Sequence, residues 1–217
     1  MKWTNCIFAI ALFLLGIPGQ ARDRHSLGMS PGSSMTPLGI SIVLESKIPL
    51  GDEMLEGMED ELRQVFAQSI VSVDLVHPDL DKYPVFATEV IMARIVGKCR
   101  VDAMPPLHAH KPDTLGRTMV TDGRILPFME LDCAQISGAV RRQLIGKPNS
   151  ERSRLLGRAV ARVLAHEVYH VMAQTHAHSP WGIAAESLTG EDLLREHLSF
   201  RIEDMESMGL VSVMATH

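Results

Sequence analysis

The sequence predicts an α/β (α+β) fold with a small mixed sheet, a long helix ending in a histidine cluster, and a further helix near the C-terminus. Three observations predict it. β-Branched, apolar runs recur at residues 38–45, 70–76 and 90–96, the composition of buried strands. Asp122-Gly123 separates two more strand-like segments, and Asp-Gly is a strong two-residue hairpin turn. Apolar residues at three- and four-residue spacing mark helices after residue 51 and after residue 150. Strands and helices that alternate in this way layer helices against a sheet.

The elements follow in order. Residues 38–45 (LGISIVLE) read as a first strand. Gly51-Asp52 opens a helix whose buried stripe is Met54, Leu55, Met58, Leu62, Val65 and Phe66, with acids on the other face. Its methionines read as core packing rather than a cofactor box. Residues 70–76 alternate as a second strand, closed by Pro78, and residues 90–96 form a third. The three prolines within 102–115 make that stretch a loop. Residues 118–121 and 124–132 form the hairpin, and Pro127 predicts an edge or a bulge there. A short helix is expected over 134–144, then a turn at 146–150. Asn149 or Ser150 can cap the next helix, which buries Leu155, Leu156, Ala159, Val160, Val163 and Leu164. Residues 189–192 are expected to start a last helix carrying Leu193, Leu194, Leu198, Ile202 and Met205.

The chain has 217 residues, 46% hydrophobic and 22% charged, enough for one domain with a real core. With a net charge of −5 and no basic block, nucleic acid is excluded as an expected partner. Lys2, the apolar run at 7–17 and the small residues Gly19 and Ala21 form a signal-peptide pattern, with cleavage after Ala21. The expected organisation is a signal peptide at 1–21, a flexible Ser/Gly/Pro-rich leader at 22–37 and a folded domain at 38–217. The alternative, an uncleaved membrane anchor, calls for a longer apolar run than this one. The mature protein is expected outside the cytoplasm, secreted or periplasmic, without stable membrane insertion. Cys6 leaves with the signal, so Cys99 and Cys133 remain, either as a disulfide or as two separate buried thiols.

The chemistry concentrates in residues 166–182, HEVYHVMAQTHAHSPWG. His166 and His170 are four apart on a predicted helix, so both imidazoles share one face and can bind one metal. Glu167 is adjacent and reaches the space beside such a metal, where it can take a proton from water and hand it to a leaving amine. Zinc in that position lowers the pKa of bound water toward neutrality, so hydroxide is available to attack a carbonyl. A catalytic zinc keeps three protein ligands and one open position. The third ligand is His176 or His178.

The stretch 166–176 matches the frame HExxHxxGxxH, with Ala173 where glycine belongs. On that motif, the order of strands before it and the exported context, the chain resembles the metzincin zinc metalloproteases, broadly the matrixin and adamalysin group. The resemblance implies a metzincin-like catalytic domain, a Zn2+ cofactor and hydrolysis of a peptide or protein substrate, with Glu167 as base and then acid. It also implies a substrate cleft along the hairpin, where an extended peptide can add as a strand. Two departures stand out. Ala173 lacks glycine's access to positive φ, so the helix is expected to run on and the return loop to need more length, which favours His178 over His176. The losing histidine is expected to be a solvated loop residue or a partner of a ligand. No methionine lies in residues 182–185, where the family places one beneath the metal, and Ile183 or Ala184 is expected to fill that apolar floor. These departures motivate the alternative, a non-catalytic zinc-binding or interaction protein. His108, His110, His197 and Glu186 read as solvated or packing groups, Tyr169 as packing, and no base is placed to activate Cys133.

Overall fold

The computed structural model describes residues 39–77, 87–100 and 114–211. They belong to one compact unit, Thr36–His217. The signal peptide, the leader and the proline loop with His108 and His110 lie outside the described residues. The fold is mixed α/β, with a five-stranded sheet and four helices among the described residues.

The strands are β1 (Gly39–Ser46), β2 (Ser72–Val76), β3 (Glu89–Val96), β4 (Gly116–Thr121) and β5 (Arg124–Asp132). Their order across the sheet is β2-β1-β3-β5-β4. All pairings are parallel except β4 on β5, which places the antiparallel strand at one edge. Alternate residues decide which face is buried: Ile40, Ile42 and Leu44 of β1 and Ile91, Ala93 and Ile95 of β3 point into one core. The β4–β5 turn has Asp122 at φ 49° and Gly123 at φ 75°, the two positive angles a twisted two-residue hairpin requires. Between Thr118 and Val120 the pairing slips, so Met119 faces the stretch containing Pro127. β5 pairs with β3 only from Phe128 onward, so Pro127 falls where no ladder needs its missing N–H.

The helices are α1 (Asp52–Val65), α2 (Cys133–Leu144), α3 (Asn149–Ala173) and α4 (Ile202–Ser207). Met54 and Met58 of α1 are buried in the core, as the helical stripe requires. α1 and α3 cross backbone to backbone. A Cβ on Gly57 would lie 2.2 Å from the carbonyl oxygen of Arg154, and one on Gly157 would lie 2.1 Å from that of Met54. The crossing also buries an ion pair: Arg162 Nε donates to Glu61 Oε1 at 2.7 Å, both side chains at most 2% exposed. Arg162 Nη1 donates to the carbonyl of Asp192 at 2.7 Å, which ties the segment after the histidines to α3. Burial pulls the Arg162 pKa down, and Glu61 opposes this.

Cys99 and Cys133 form a disulfide with Cα atoms 5.0 Å apart. Cys133 opens α2, whose N-terminus is capped by Asp132 accepting from the amides of Ala134 and Gln135. The bridge therefore joins the chain just beyond β3 to the end of β5.

Three expectations need correction. The helix expected from residue 189 does not form there: Thr189 to Arg195 make turns held by Asp192, and α4 begins only at Ile202. Leu193 is still fully buried, so the periodic apolar pattern came from packing and not from a helix. Neither Asn149 nor Ser150 caps α3: the N-cap is Pro148, without a side-chain hydrogen bond, and both residues lie inside the helix. The second strand starts at Ser72, because Ser69 Oγ accepts from the Val71 amide in a local turn. No helix among the described residues is long and apolar enough to cross a membrane.

Candidate metal centre

The last turns of α3 carry His166, Glu167 and His170. The chain then reverses. Ala173 stays helical, and the left-handed residue is Gln174, at φ 49° and ψ 42°. Its side-chain amide donates to the carbonyls of Val171, at 2.7 Å, and Ile125, at 3.3 Å. Those bonds satisfy a helix-end carbonyl and offset the unfavourable angle. The turn therefore comes one residue later than the HExxHxxGxxH frame places it.

The return loop is pinned immediately after His178. The Ser179 amide donates to the carbonyl of Ala184 at 2.8 Å, and Ser179 Oγ donates to the buried carboxylate of Asp204 on α4. Gly182, at φ 90°, sits so close to the carbonyl of Ser199 that a Cβ would lie 2.7 Å away.

The result is a three-histidine cluster of His166, His170 and His178, whose ligating atoms all lie within 4.8 Å of one another. These three are close enough to bind a metal ion. His176 is not in that set: it is exposed and lines the cavity beside it. Of the two histidines that the sequence left open, the fold brings His178 to the cluster.

Each of the two α3 histidines is oriented from behind. His166 Nδ1 donates to the carbonyl of Ile183 at 2.8 Å, and His170 Nδ1 donates to that of Thr175 at 2.7 Å. A carbonyl only accepts, so Nδ1 carries the proton and Nε2 of the neutral ring is a bare lone pair. The two Nε2 atoms face each other at 3.1 Å. Burial, more than the neighbouring histidines, lowers the His166 pKa to about 4, and the Ile183 carbonyl opposes it. Burial likewise lowers that of His170. Neutral rings with convergent lone pairs and carbonyl-held Nδ1 atoms are the donor set a divalent transition metal takes.

Ile183 and Ala184 are fully buried. Glu167 is 5% exposed, and burial raises its carboxyl pKa while a hydrogen bond from Thr118 lowers it. Thr118 Oγ1 donates to Glu167 Oε2 at 2.6 Å. Glu186 is an exposed wall residue, Tyr169 packs against Phe200 and His170, and His197 is exposed and meets Gln64.

A cavity of about 710 Å3 opens over the cluster. β4 forms one wall, residues 185–190 the other, and Val163, His166, Glu167 and His170 line it from α3. Sequence reasoning missed Thr118, Gln174 and the Arg162–Glu61 pair. Thr118 and Gln174 carry no local signal. Glu61 and Arg162 did: both fall inside apolar helical stripes, where a charge needs a partner. Searches against family models and against curated proteins find no match to this chain.

Proposed function

We propose that the chain is an exported zinc metallopeptidase, a divergent relative of the metzincins. The observation that carries this reading is the convergence of His166, His170 and His178 with the buried carboxylate of Glu167 in one cavity bordered by an edge strand. The three histidines would hold the zinc. When bound, zinc supplies Lewis acidity that polarises a carbonyl and acidifies water. Glu167 takes the proton of the attacking water on its carboxylate and returns it to the leaving amine. Its raised pKa suits a group that must carry that proton between two steps. The outer strand β4 offers an extended peptide a backbone to pair with beside Glu167. The signal-peptide pattern and the Cys99–Cys133 disulfide support an oxidising, extracytoplasmic location.

The test is hydrolysis of an unfolded protein by the zinc-loaded mature chain, beside Glu167→Ala at equal zinc content. The enzyme reading expects wild-type cleavage and at least a hundredfold loss in the variant, within the range general acid–base groups contribute. One zinc per chain without cleavage would instead favour a zinc-binding protein that no longer acts on peptides, the outcome that Ala173 and the missing methionine motivate.

A further inference from the structure

We propose that Thr118 is a positioning residue for Glu167: a hydroxyl on the edge strand that holds the carboxylate of the α3 motif in one orientation. The inference rests on the reading of Glu167 as the base. Glu167 could swing freely if only α3 held it, because a glutamate has three rotatable bonds and nothing in the HExxH spacing fixes them. The structure fixes them from β4. Thr118 and Gly116 are two apart on that strand and so face the same side, toward α3. Thr118 Oγ1 lies 2.6 Å from Glu167 Oε2 and 3.5 Å from the Glu167 carbonyl.

Gly116 makes room for the other oxygen. A Cβ there would stand 2.9 Å from Glu167 Oε1, 2.9 Å from Val163 Cγ1 and 3.0 Å from Leu131 Cδ2. The carboxylate is thus wedged between one hydrogen-bond donor and one bare Cα. The hydroxyl has a single proton and spends it on Oε2, so Oε1 is the oxygen without a hydrogen-bond donor among the described residues.

The placement of Thr118 is itself secured. It pairs with Met129, and Gly116 pairs with Leu131, in the regular part of the hairpin. The register slip begins only beyond Thr118. Met129 and Leu131 are core residues, so the strand that offers the hydroxyl is anchored by packing and not by the exposed turn. The same strand forms the cavity wall. A single strand therefore lines the cleft and holds the carboxylate.

The experiment compares zinc-loaded wild type, Thr118→Val and Thr118→Ser in peptide hydrolysis. Valine keeps the shape and removes the proton; serine keeps the proton. A positioning role expects Thr118→Val to lower kcat at least tenfold with KM within twofold and zinc content unchanged, and Thr118→Ser to stay within threefold of wild type. Full kcat in Thr118→Val, equal losses in both variants, or a change in KM alone would overturn it. A second measurement does not need turnover: denaturation midpoints of the metal-free protein in a cycle of Thr118→Val with Glu167→Ala. The contact expects Thr118→Val to shift the midpoint in the wild-type background and not beside Glu167→Ala. Additive shifts would overturn the contact. A wild type with no turnover would remove the enzyme reading alone, and the cycle would still decide whether Thr118 holds Glu167.

Discussion

At the scale of single residues, the site turns on where the helix stops. An alanine at 173 can stay helical, and it does, so the left-handed angle passes to Gln174. Gln174 tolerates it because its amide reaches two carbonyls. The later turn and the pinned Ser179 bring His178, rather than His176, to His166 and His170. We therefore expect zinc binding to separate the two histidines. Metal analysis of the purified mature chain should give one zinc for wild type and for His176→Ala, and loss of zinc for His178→Ala. Loss in His176→Ala with retention in His178→Ala would reverse the assignment.

At the scale of elements, the α3 helix is held in place by close approach to α1 rather than by propensity. Glycine inside a helix costs about 0.5–1 kcal/mol relative to alanine, so two glycines at a helix crossing need a compensating contact. Gly57 and Gly157 have one, since a Cβ on either would strike a backbone carbonyl. Gly157→Ala must push the helices apart and is expected to destabilise by about 1–3 kcal/mol, the usual range for overpacking. Gly138 on α2 has nothing within 4 Å of its Cβ position, so Gly138→Ala is expected to stabilise by about 0.5–1 kcal/mol. Chemical denaturation of both variants checks the pair. Equal effects would mean that the crossing relaxes freely.

At the scale of the whole molecule, two linkages act on stability. The disulfide closes a loop with a sequence separation of 34 that contains β4, the wall of the cleft. Reduction of a loop of that length is expected to cost about 3–4 kcal/mol in the chain-entropy account, read as a lower unfolding midpoint in reductant. Acid acts through the histidines. His166 has its pKa lowered to about 4, against an ordinary value of 6.5, and His170 is lowered too. Between those values the unfolded chain binds protons that the folded chain does not, so stability rises with pH in that window. The metal-free protein is thus expected to lose stability as pH falls from 6.5 toward 4. Glu167, raised by burial, offsets part of this at the acid end, so Glu167→Gln should steepen the loss. Melting temperatures across that range check the sign, and a flat profile would mean that the rings are more solvated than their burial implies.

Much of this architecture was legible in the chain itself because it rests on local rules. β-Branched, apolar runs placed β1 and β3, period 3.6 placed α1 and α3, Asp122-Gly123 placed the hairpin, and Pro127 marked the irregular register. His166, Glu167 and His170 were legible for the same reason, since their relation is a property of one helix. The C-terminal helix was misjudged because Leu193 and its neighbours are buried by tertiary packing in turns, and burial alone has no period. Spacing narrowed the expected third histidine to His176 or His178, and the Ala173 argument leaned toward His178. The choice itself depended on contacts made by Ile125, Asp204 and Ala184, far from the motif in sequence or folded back on it. The disulfide needed the distance between two strand ends. The hold of Thr118 on Glu167 joins residues 49 positions apart. Local patterns in the chain specify most of the elements and the helix-borne half of the site. Which histidine joins the cluster, the disulfide and the orientation of Glu167 came from the folded chain, because each depends on contacts between distant segments that no local pattern encodes.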